Sequence, residues 1–286
     1  PDYEKSYREV YRDFAASWLT KTQDLTLLSA VQHTQDTLQN DMPSWVPRWD
    51  RSLSTTHFGL CNFGFDAAKH LPANEPLLVN SKELTVTGSI FDTIVWRSES
   101  LPETWDFHVP GFDGFGIHPL LVFIWIRFSS TQSIMSFIKL LGGPMYAKNA
   151  NSLHPDEAAF ALDLCRQSLI YRDKSESELR QAAEDGDAMS FARHGEVWAA
   201  QRSIALTWNG RCALVPAVTA VHDHCYIVAG MPVPVILRPQ AESDDRYQFL
   251  GESFVLGIMH GELFDKERAK GMFDDGRKVG MDISLL

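Results

Sequence analysis

The sequence predicts an α+β fold, in which an N-terminal helical hairpin and central helices pack on a small antiparallel β barrel or curled sheet. Helices are indicated by apolar residues that recur at three- to four-residue spacing, as in residues 3–31 and 155–172. The sheet is indicated by residues 202–262, where short β-branched and aromatic runs are separated by Asn-Gly, Pro, Gly and acidic turns. The chain has 286 residues, 44% hydrophobic and 22% charged, so we expect one compact globular domain over residues 1–286.

Residues 1–50 are expected to form the helical hairpin and an irregular strap. The first helix would carry its large apolar side chains on one face and its charges on the other, before a polar break at residues 21–24 and a second apolar stretch, LTLLSAV. That apolar face consists of Tyr3, Tyr7, Val10, Tyr11, Phe14 and Trp18. In the strap MPSWVPRW the prolines exclude a helix, and we predict a structural role for Trp45 and Trp49 as packing anchors.

Residues 83–98 are predicted to form a β strand or hairpin. Leu84, Val86 and Ile90 alternate with polar residues, which is the pattern of a half-buried strand. Gly88 interrupts this pattern and indicates a bulge at which the strand bends.

A loop rich in aromatic and acidic residues follows at residues 101–115. Trp105, Asp106, His108, Phe112 and Phe115 are candidate ligand-binding residues, because an aromatic cleft with a few acids and imidazoles is the usual composition of a small-molecule pocket. In the alternative interpretation, the loop only covers the core. Asp113 and His118 are candidate catalytic acid or base groups near the same loop.

Residues 117–195 are predicted to be mainly helical. The apolar run IHPLLVFIWIRF is too short to cross a membrane, since a spanning helix needs about 20 apolar residues. Residues 196–264 would form the small β barrel, and residues 265–286 a polar tail whose Met281, Ile283 and Leu285 pack back on the core.

The barrel segment also holds the most concentrated polar groups. Alternation along a strand places the members of HDHC, residues 222–225, on opposite faces, so we expect no metal site there. His222 is the third candidate catalytic residue, because imidazole titrates near neutrality. His260 and Glu262 would share one strand face, either opposite a histidine or with Glu262 paired to Arg238, and we favour a structural role for Arg238 and Glu262.

Charge, cysteine use and missing motifs narrow the function further. The net charge of −11, without a basic stripe, argues against nucleic-acid binding. Four widely spaced cysteines and no signal peptide pattern predict a reducing, cytoplasmic location. Nucleotide, zinc and nucleophile-elbow motifs are missing, so we expect no cofactor. The remaining partners are a small-molecule ligand or another protein, and the sequence does not indicate the oligomeric state.

Three separate stretches resemble one family in their order along the chain. PDYEKSYREVYRDFAASWL, the strap PSWVPRWD, and the run from RSIALTWNGR to VLGIMHGE resemble the region that follows the HET domain in fungal heterokaryon-incompatibility proteins. Residues 1–3, 9–11, 43–49, 234–238 and 257–262 carry most of this resemblance, together with Arg202 and Asp223. The resemblance implies a fungal, intracellular protein.

Compared with the family that it resembles, this sequence differs in two respects. The HET domain, which is similar to TIR domains and linked to programmed cell death, would end where this sequence starts, and Pro1 in place of Met suggests that an upstream part was removed or not included. Ala213, Val215 and His222 occupy places where family members usually have glycines near turns, which implies altered loops.

Two functions follow as hypotheses. The first is a non-enzymatic, C-terminal accessory module of a HET-family protein, which binds a partner or ligand and regulates incompatibility or cell-death signalling. The second is a stand-alone, cofactor-free enzyme of fungal secondary metabolism, such as a cyclase, dehydratase or pericyclase acting on a polyketide or terpenoid. Such an enzyme would need an aromatic cavity and one or two acid-base groups.

Overall fold

The computed structural model describes residues 4–39, 42–51, 55–69, 71, 76–79, 82–146, 152–172, 174–241, 243–265 and 280–286. The α-helices in this part of the chain are α1 (Tyr7–Thr22), α2 (Gln35–Leu38), α3 (Pro119–Phe128), α4 (Ile134–Tyr146), α5 (Pro155–Ser168), α6 (Glu176–Ala182) and α7 (Ala188–Ala199), and a 3-10 helix covers Leu25–Ala30. The strands are β1 (Leu77–Val79), β2 (Glu83–Ser100), β3 (Arg202–Thr207), β4 (Cys212–Pro216), β5 (His224–Val228), β6 (Val235–Gln240), β7 (Ser243–Glu252), β8 (Phe254–Val255) and β9 (Met281–Leu285). Tyr3 and the rest of the N-terminal tripeptide in the family resemblance lie outside the described residues.

Five strands close into a ring in the order β2, β5, β6, β7 and β9, which returns to β2. All neighbours in this ring are antiparallel except β7 and β9, which are parallel. The second half of β2 leaves the ring and continues the sheet through β3, β4 and β8. The predicted α+β fold with a barrel-like or curled sheet is therefore confirmed, and the predicted tail supplies the strand that closes the ring.

Strand β2 belongs to both parts of the sheet because it is long and irregular. Its register with β5 shifts between Ile90 and Asp92, two residues beyond the bulge predicted at Gly88. Gly88 has another role, since a Cβ there would lie 3.2 Å from side-chain atoms of both Ile283 and Tyr226. Gly88 therefore permits close packing inside the ring, and the irregularity of β2 lies after it, between Ile90 and Asp92.

Tyrosine side chains mark the inside of the ring. The Tyr226 hydroxyl of β5 donates a hydrogen bond to the Tyr247 hydroxyl of β7 at 2.8 Å, although β6 lies between these strands. Burial and this bond raise the pKa of Tyr226. Leu25 and Leu28 of the 3-10 helix join the same buried cluster, so the N-terminal segment packs against the barrel interior.

Helix α1 contributes less to the core than its apolar pattern predicts. Ala15 and Leu19 are its buried residues, whereas Phe14 is 52% exposed and packs edge-on against Trp49. Trp45 of the strap is fully buried and its indole N–H donates to the carbonyl of Lys82. Trp49 is 42% exposed, so the two tryptophans of the strap have different environments.

Strands β3 and β4 separate two buried clusters by their alternation. Ile204 and Leu214 face the helical layer, while Ala205, Ala213 and Val215 face the outside of the ring. The molecule therefore has a barrel interior, an intermediate apolar layer between the ring and the β3–β4–β8 sheet, and a helical layer of α3 to α7. None of the helices in the described part of the chain is both long and apolar enough to span a membrane.

Candidate functional site

A cleft of about 510 Å³ lies where the helical layer passes the edge strand β8. One wall is the face of α4 that presents Ser136 and Lys139, preceded by Ser133. The other wall is β8 and the turn of residues 256–262, and Phe65 also lines the cleft. We name this cavity the α4–β8 cleft.

The α4 wall follows from helix geometry. Ser133 precedes the helix, and its hydroxyl accepts a hydrogen bond from the Ser136 N–H at 3.0 Å, which caps the first turn. Residues 133, 136 and 139 are three apart and therefore lie on one side of the helix. The helix is interrupted near its end by Gly143, which has φ 54°, and by Pro144.

Lys139 is buried and ion-paired behind this wall. Its ammonium donates to Glu157 Oε2 at 2.6 Å and to the carbonyl of Tyr146 at 3.0 Å. Burial raises the pKa of Glu157, and Lys139 and the His154 N–H oppose that shift. Because Glu157 Oε2 accepts from both Lys139 and His154, each at 2.6 Å, we assign an ionised carboxylate and a pair with no net charge.

The opposite wall is a turn rather than a strand. Gly257 and Gly261 have φ values of 76° and 84°, in the left-handed region that favours glycine. The prediction that His260 and Glu262 share a strand face is wrong, because β8 ends at Val255. Instead, Glu262 Oε2 accepts the backbone N–H of His260 at 2.7 Å, and the His260 ring lies 5.5 Å from the Phe65 ring centroid.

A buried ion pair joins the segment of residues 56–59 to the sheet beside a second cavity of about 340 Å³. Glu252 accepts hydrogen bonds from Arg202 Nη2 at 2.9 Å and from the N–H groups of Phe58 and Gly59 at 2.6 and 2.9 Å. The Arg202 guanidinium also stands 4.2 Å from the centroid of the Phe58 ring. Burial lowers the pKa of Arg202 while Glu252 opposes the shift.

Residues 172–274 match the Het-6 beta-barrel domain family. The match links this chain to the HET-family proteins of fungi. It covers α6, α7, β3 to β8 and the turn of the α4–β8 cleft, whereas α4 itself lies outside it. Comparison with curated proteins and with solved structures gives no significant match.

The family resemblance implies glycines near turns at three positions, which are occupied here by Ala213, Val215 and His222. Ala213 and Val215 are within β4 and face the intermediate apolar layer, so these two are not turn residues. His222 does lie in a turn, exposed, with φ 76°. A glycine at this place, as the family resemblance implies, would have a direct physical reason, because L side chains rarely adopt this backbone conformation.

The three candidate catalytic residues are in separate local settings. The His222 N–H donates to the carbonyl of Ile94, Asp113 is exposed in its loop, and His118 Nδ1 accepts the N–H of Leu120 as the N-cap of α3. No hydrogen bond among the described residues joins any two of them, and none lines the cavities described above. Their catalytic role stays a prediction.

The candidate ligand-binding residues divide between core and surface. Trp105 is fully buried, and its backbone N–H donates to Glu196 at 2.6 Å. Phe115 packs on the helical layer, Asp106 pairs as a bridge with Ile117, and His108 is exposed. Phe112 lines a shallow apolar groove of about 410 Å³ beside Phe107 and Phe123. Of these five residues, Phe112 is the one that lines one of the three cavities described in this section.

The polar groups near HDHC form framework contacts. Arg238 binds Asp223 through two hydrogen bonds of 2.9 Å, so of the two arrangements considered for Glu262, the pairing with Arg238 is not the one found among the described residues. Burial lowers the pKa of His224, and Cys225 is buried beside it in sequence. No three His, Cys, Asp or Glu side chains in the described ranges are grouped so that they could hold a metal ion.

The sequence does not predict that Lys139 lines a cleft, nor that Glu262 lies in a turn. A single lysine within the otherwise apolar IMSFIKLL was the available signal for a buried charge, which requires a partner. The two glycines of GIMHGE were the signal for a turn.

Proposed function

We propose that this chain is an accessory module of a HET-related fungal protein, which binds a small ligand in the α4–β8 cleft and thereby regulates incompatibility or cell-death signalling. The observation that carries the proposal is the cleft itself, whose volume is about 510 Å³. Ligand pockets of proteins span roughly 300–1,000 Å³ and combine apolar walls with a few polar groups.

The lining of the cleft has this character. Phe65, Met135, Phe254 and Met259 supply apolar surface, and two methionines supply surfaces that adapt to the shape of a ligand. Ser136, His260 and Glu262 supply hydrogen-bonding groups that fix its orientation.

The position of the cleft supports a regulatory role. One wall is α4 of the helical layer and the other is β8 of the β3–β4–β8 sheet with the turn that follows it, so a ligand would contact the helical layer and this sheet at once. A ligand that binds across two packed layers stabilises their native arrangement by mass action. Such an effect can be transmitted to a partner without any chemical step.

A matched pair of variants tests this proposal. Ser136→Trp places an indole in the cleft, whereas Ser130→Trp adds the same side chain at an exposed position just before α4. We expect fragment binding, followed by ligand-observed NMR, and the cell-death response of the full protein in its fungal host to be lost only in S136W. If S136W, folded as shown by circular dichroism, binds and signals like S130W, the proposal is wrong.

The second candidate is the stand-alone, cofactor-free enzyme, a cyclase, dehydratase or pericyclase of secondary metabolism. His260 and Glu262 favour it, because an imidazole and a carboxylate on one cleft wall are suited to acid-base chemistry. Conversion of a bound ligand, detected by mass spectrometry and abolished by His260→Gln, would replace the accessory-module proposal with this one.

A further inference from the structure

Among the described residues that line the α4–β8 cleft, the charges do not cancel. Lys139 is the cation of the lining, but its ammonium already donates to the Glu157 carboxylate and to the carbonyl of Tyr146. The lysine therefore contributes its hydrocarbon stem to the wall while its charge is neutralised by Glu157.

Glu262 carries the charge that remains. Among the described residues, its hydrogen bond is the one accepted from the His260 N–H at 2.7 Å, and no ion pair within that part of the chain includes Glu262. The side chain of Lys69 packs beside Gly261, but Lys69 forms no ion pair with Glu262. Within the described part of the chain, the half-buried Glu262 carboxylate thus has no cationic partner where it lines the cleft.

The walls next to this carboxylate are aromatic. The Phe65 ring lies 6.0 Å from the Phe254 ring and 5.5 Å from the His260 ring. Aromatic faces attract cations within about 6 Å of the ring centroid. The Glu262 carboxylate and the aromatic wall therefore both favour a cationic group of a ligand.

We propose that the α4–β8 cleft binds an amphipathic organic cation, whose ammonium contacts Glu262 and the Phe65 ring and whose apolar body lies between Met135 and Met259. This inference rests on the proposed function, because it names the chemical class of ligand for the same cleft. A carboxylic acid with the same body would bring two carboxylates together and is disfavoured.

Three probes with one hydrocarbon body test the inference: 4-phenylbutylamine, 4-phenylbutanol and 4-phenylbutyrate. Titrations use the whole chain at low salt and about pH 8, where an imidazole is uncharged and an alkylamine remains an ammonium. We expect the amine to bind roughly tenfold more tightly than the alcohol, and the acid more weakly than both.

Glu262→Gln is the decisive variant, because the amide oxygen can still accept the His260 N–H. It should remove the advantage of the amine and leave binding of the alcohol unchanged. Glu184→Gln, on an exposed loop, makes the same change in net charge and should behave like the parent chain. This control separates a contact at Glu262 from the long-range field of the acidic protein.

The outcomes distinguish the two proposals. Equal binding of amine, alcohol and acid, or an amine preference that survives in E262Q, overturns the organic-cation inference and leaves the cleft as a ligand site. Binding of none of the three probes at millimolar concentration overturns both.

Discussion

Replacing Glu252 by Gln tests the buried ion pair that fixes the 56–59 segment to the sheet. Glu252 is 3% exposed, and its carboxylate accepts from Arg202, Phe58 and Gly59. Glutamine keeps the shape of the side chain but removes its charge, and its amide NH₂ must then face one of these donors. The Arg202 guanidinium would remain buried without a counter-charge.

The expected loss follows from this geometry. Breaking one side of a buried ion pair costs about 3–5 kcal/mol, because the remaining charge is uncompensated. At roughly 2–4 °C of Tm per kcal/mol for chains of about this size, E252Q should lower Tm by roughly 6–20 °C.

The assay compares E252Q with a surface control. Glu176→Gln breaks two ion pairs near the surface: Arg180 Nη2, one helical turn away, lies 2.8 Å from Glu176 Oε1, and Arg166 Nη2 lies 3.3 Å from the same oxygen. Exposed pairs contribute about 0–1 kcal/mol, so E176Q should unfold in urea close to the parent. If E252Q changes the free energy of unfolding by no more than E176Q does, the Arg202–Glu252 pair does not hold the segment of residues 56–59 on the sheet.

Three further variants test other parts of the molecule. Burial lowers the pKa of His33 to about 4, below the ordinary 6.5, so its contribution to stability is full above pH 6.5 and is lost as pH falls towards 4. His33→Gln should remove up to about 3 kcal/mol of that acid sensitivity, measured by urea unfolding between pH 4.5 and 7.5; an unchanged pH profile contradicts the assignment. Lys139→Met strands the buried Glu157 carboxylate and should cost about 3–5 kcal/mol of unfolding free energy, whereas a loss below about 1 kcal/mol refutes the pairing. In Gly195→Ala the new Cβ would lie 2.3 Å from the Trp105 ring. It should cost about 1–3 kcal/mol by urea unfolding, and less in a W105F background; equal costs in both backgrounds would be inconsistent with this contact.

The strands between residues 202 and 252 could be predicted because their signals are local. Turn residues such as Asn209-Gly210 separate β-branched runs, and alternation along β3 and β4 assigns each residue to one face. Closure of the ring could not be predicted in this way. It depends on β2 and β9, whose partners are almost 200 residues apart, as in the pairing of Val86 with Ile283.

For α1, the sequence predicts the helix but not which of its faces is buried. Its period was predicted, but periodicity does not say which side of an amphipathic helix meets the core. In the structure the core contact is made by Ala15 and Leu19, and the larger side chains Tyr7, Phe14 and Trp18 remain partly exposed.

Part of the candidate site could also be predicted from the sequence, namely its polar residues but not the backbone conformation that positions them. The sequence marks His260 and Glu262 as a polar pair, but the period of a strand does not hold in a segment whose glycines at 257 and 261 have positive φ. Lys139 belongs to the same cleft from a distance of more than 100 residues in sequence, which no local pattern conveys.

The cleft exists because the sheet ends early at this edge. Strand β8 has two residues, so the face of α4 extends beyond the last strand, and the turn of residues 256–262 covers the edge. The turn must bend away from the sheet plane, as its left-handed glycines allow, and the space between turn and helix is left without core side chains. Residues that line this space, such as Glu262 and Ser136, are therefore less constrained by packing than Glu252. Loss of stability in E252Q and loss of ligand selectivity in E262Q should accordingly be separable, since the first residue holds the layers together and the second faces the gap between them.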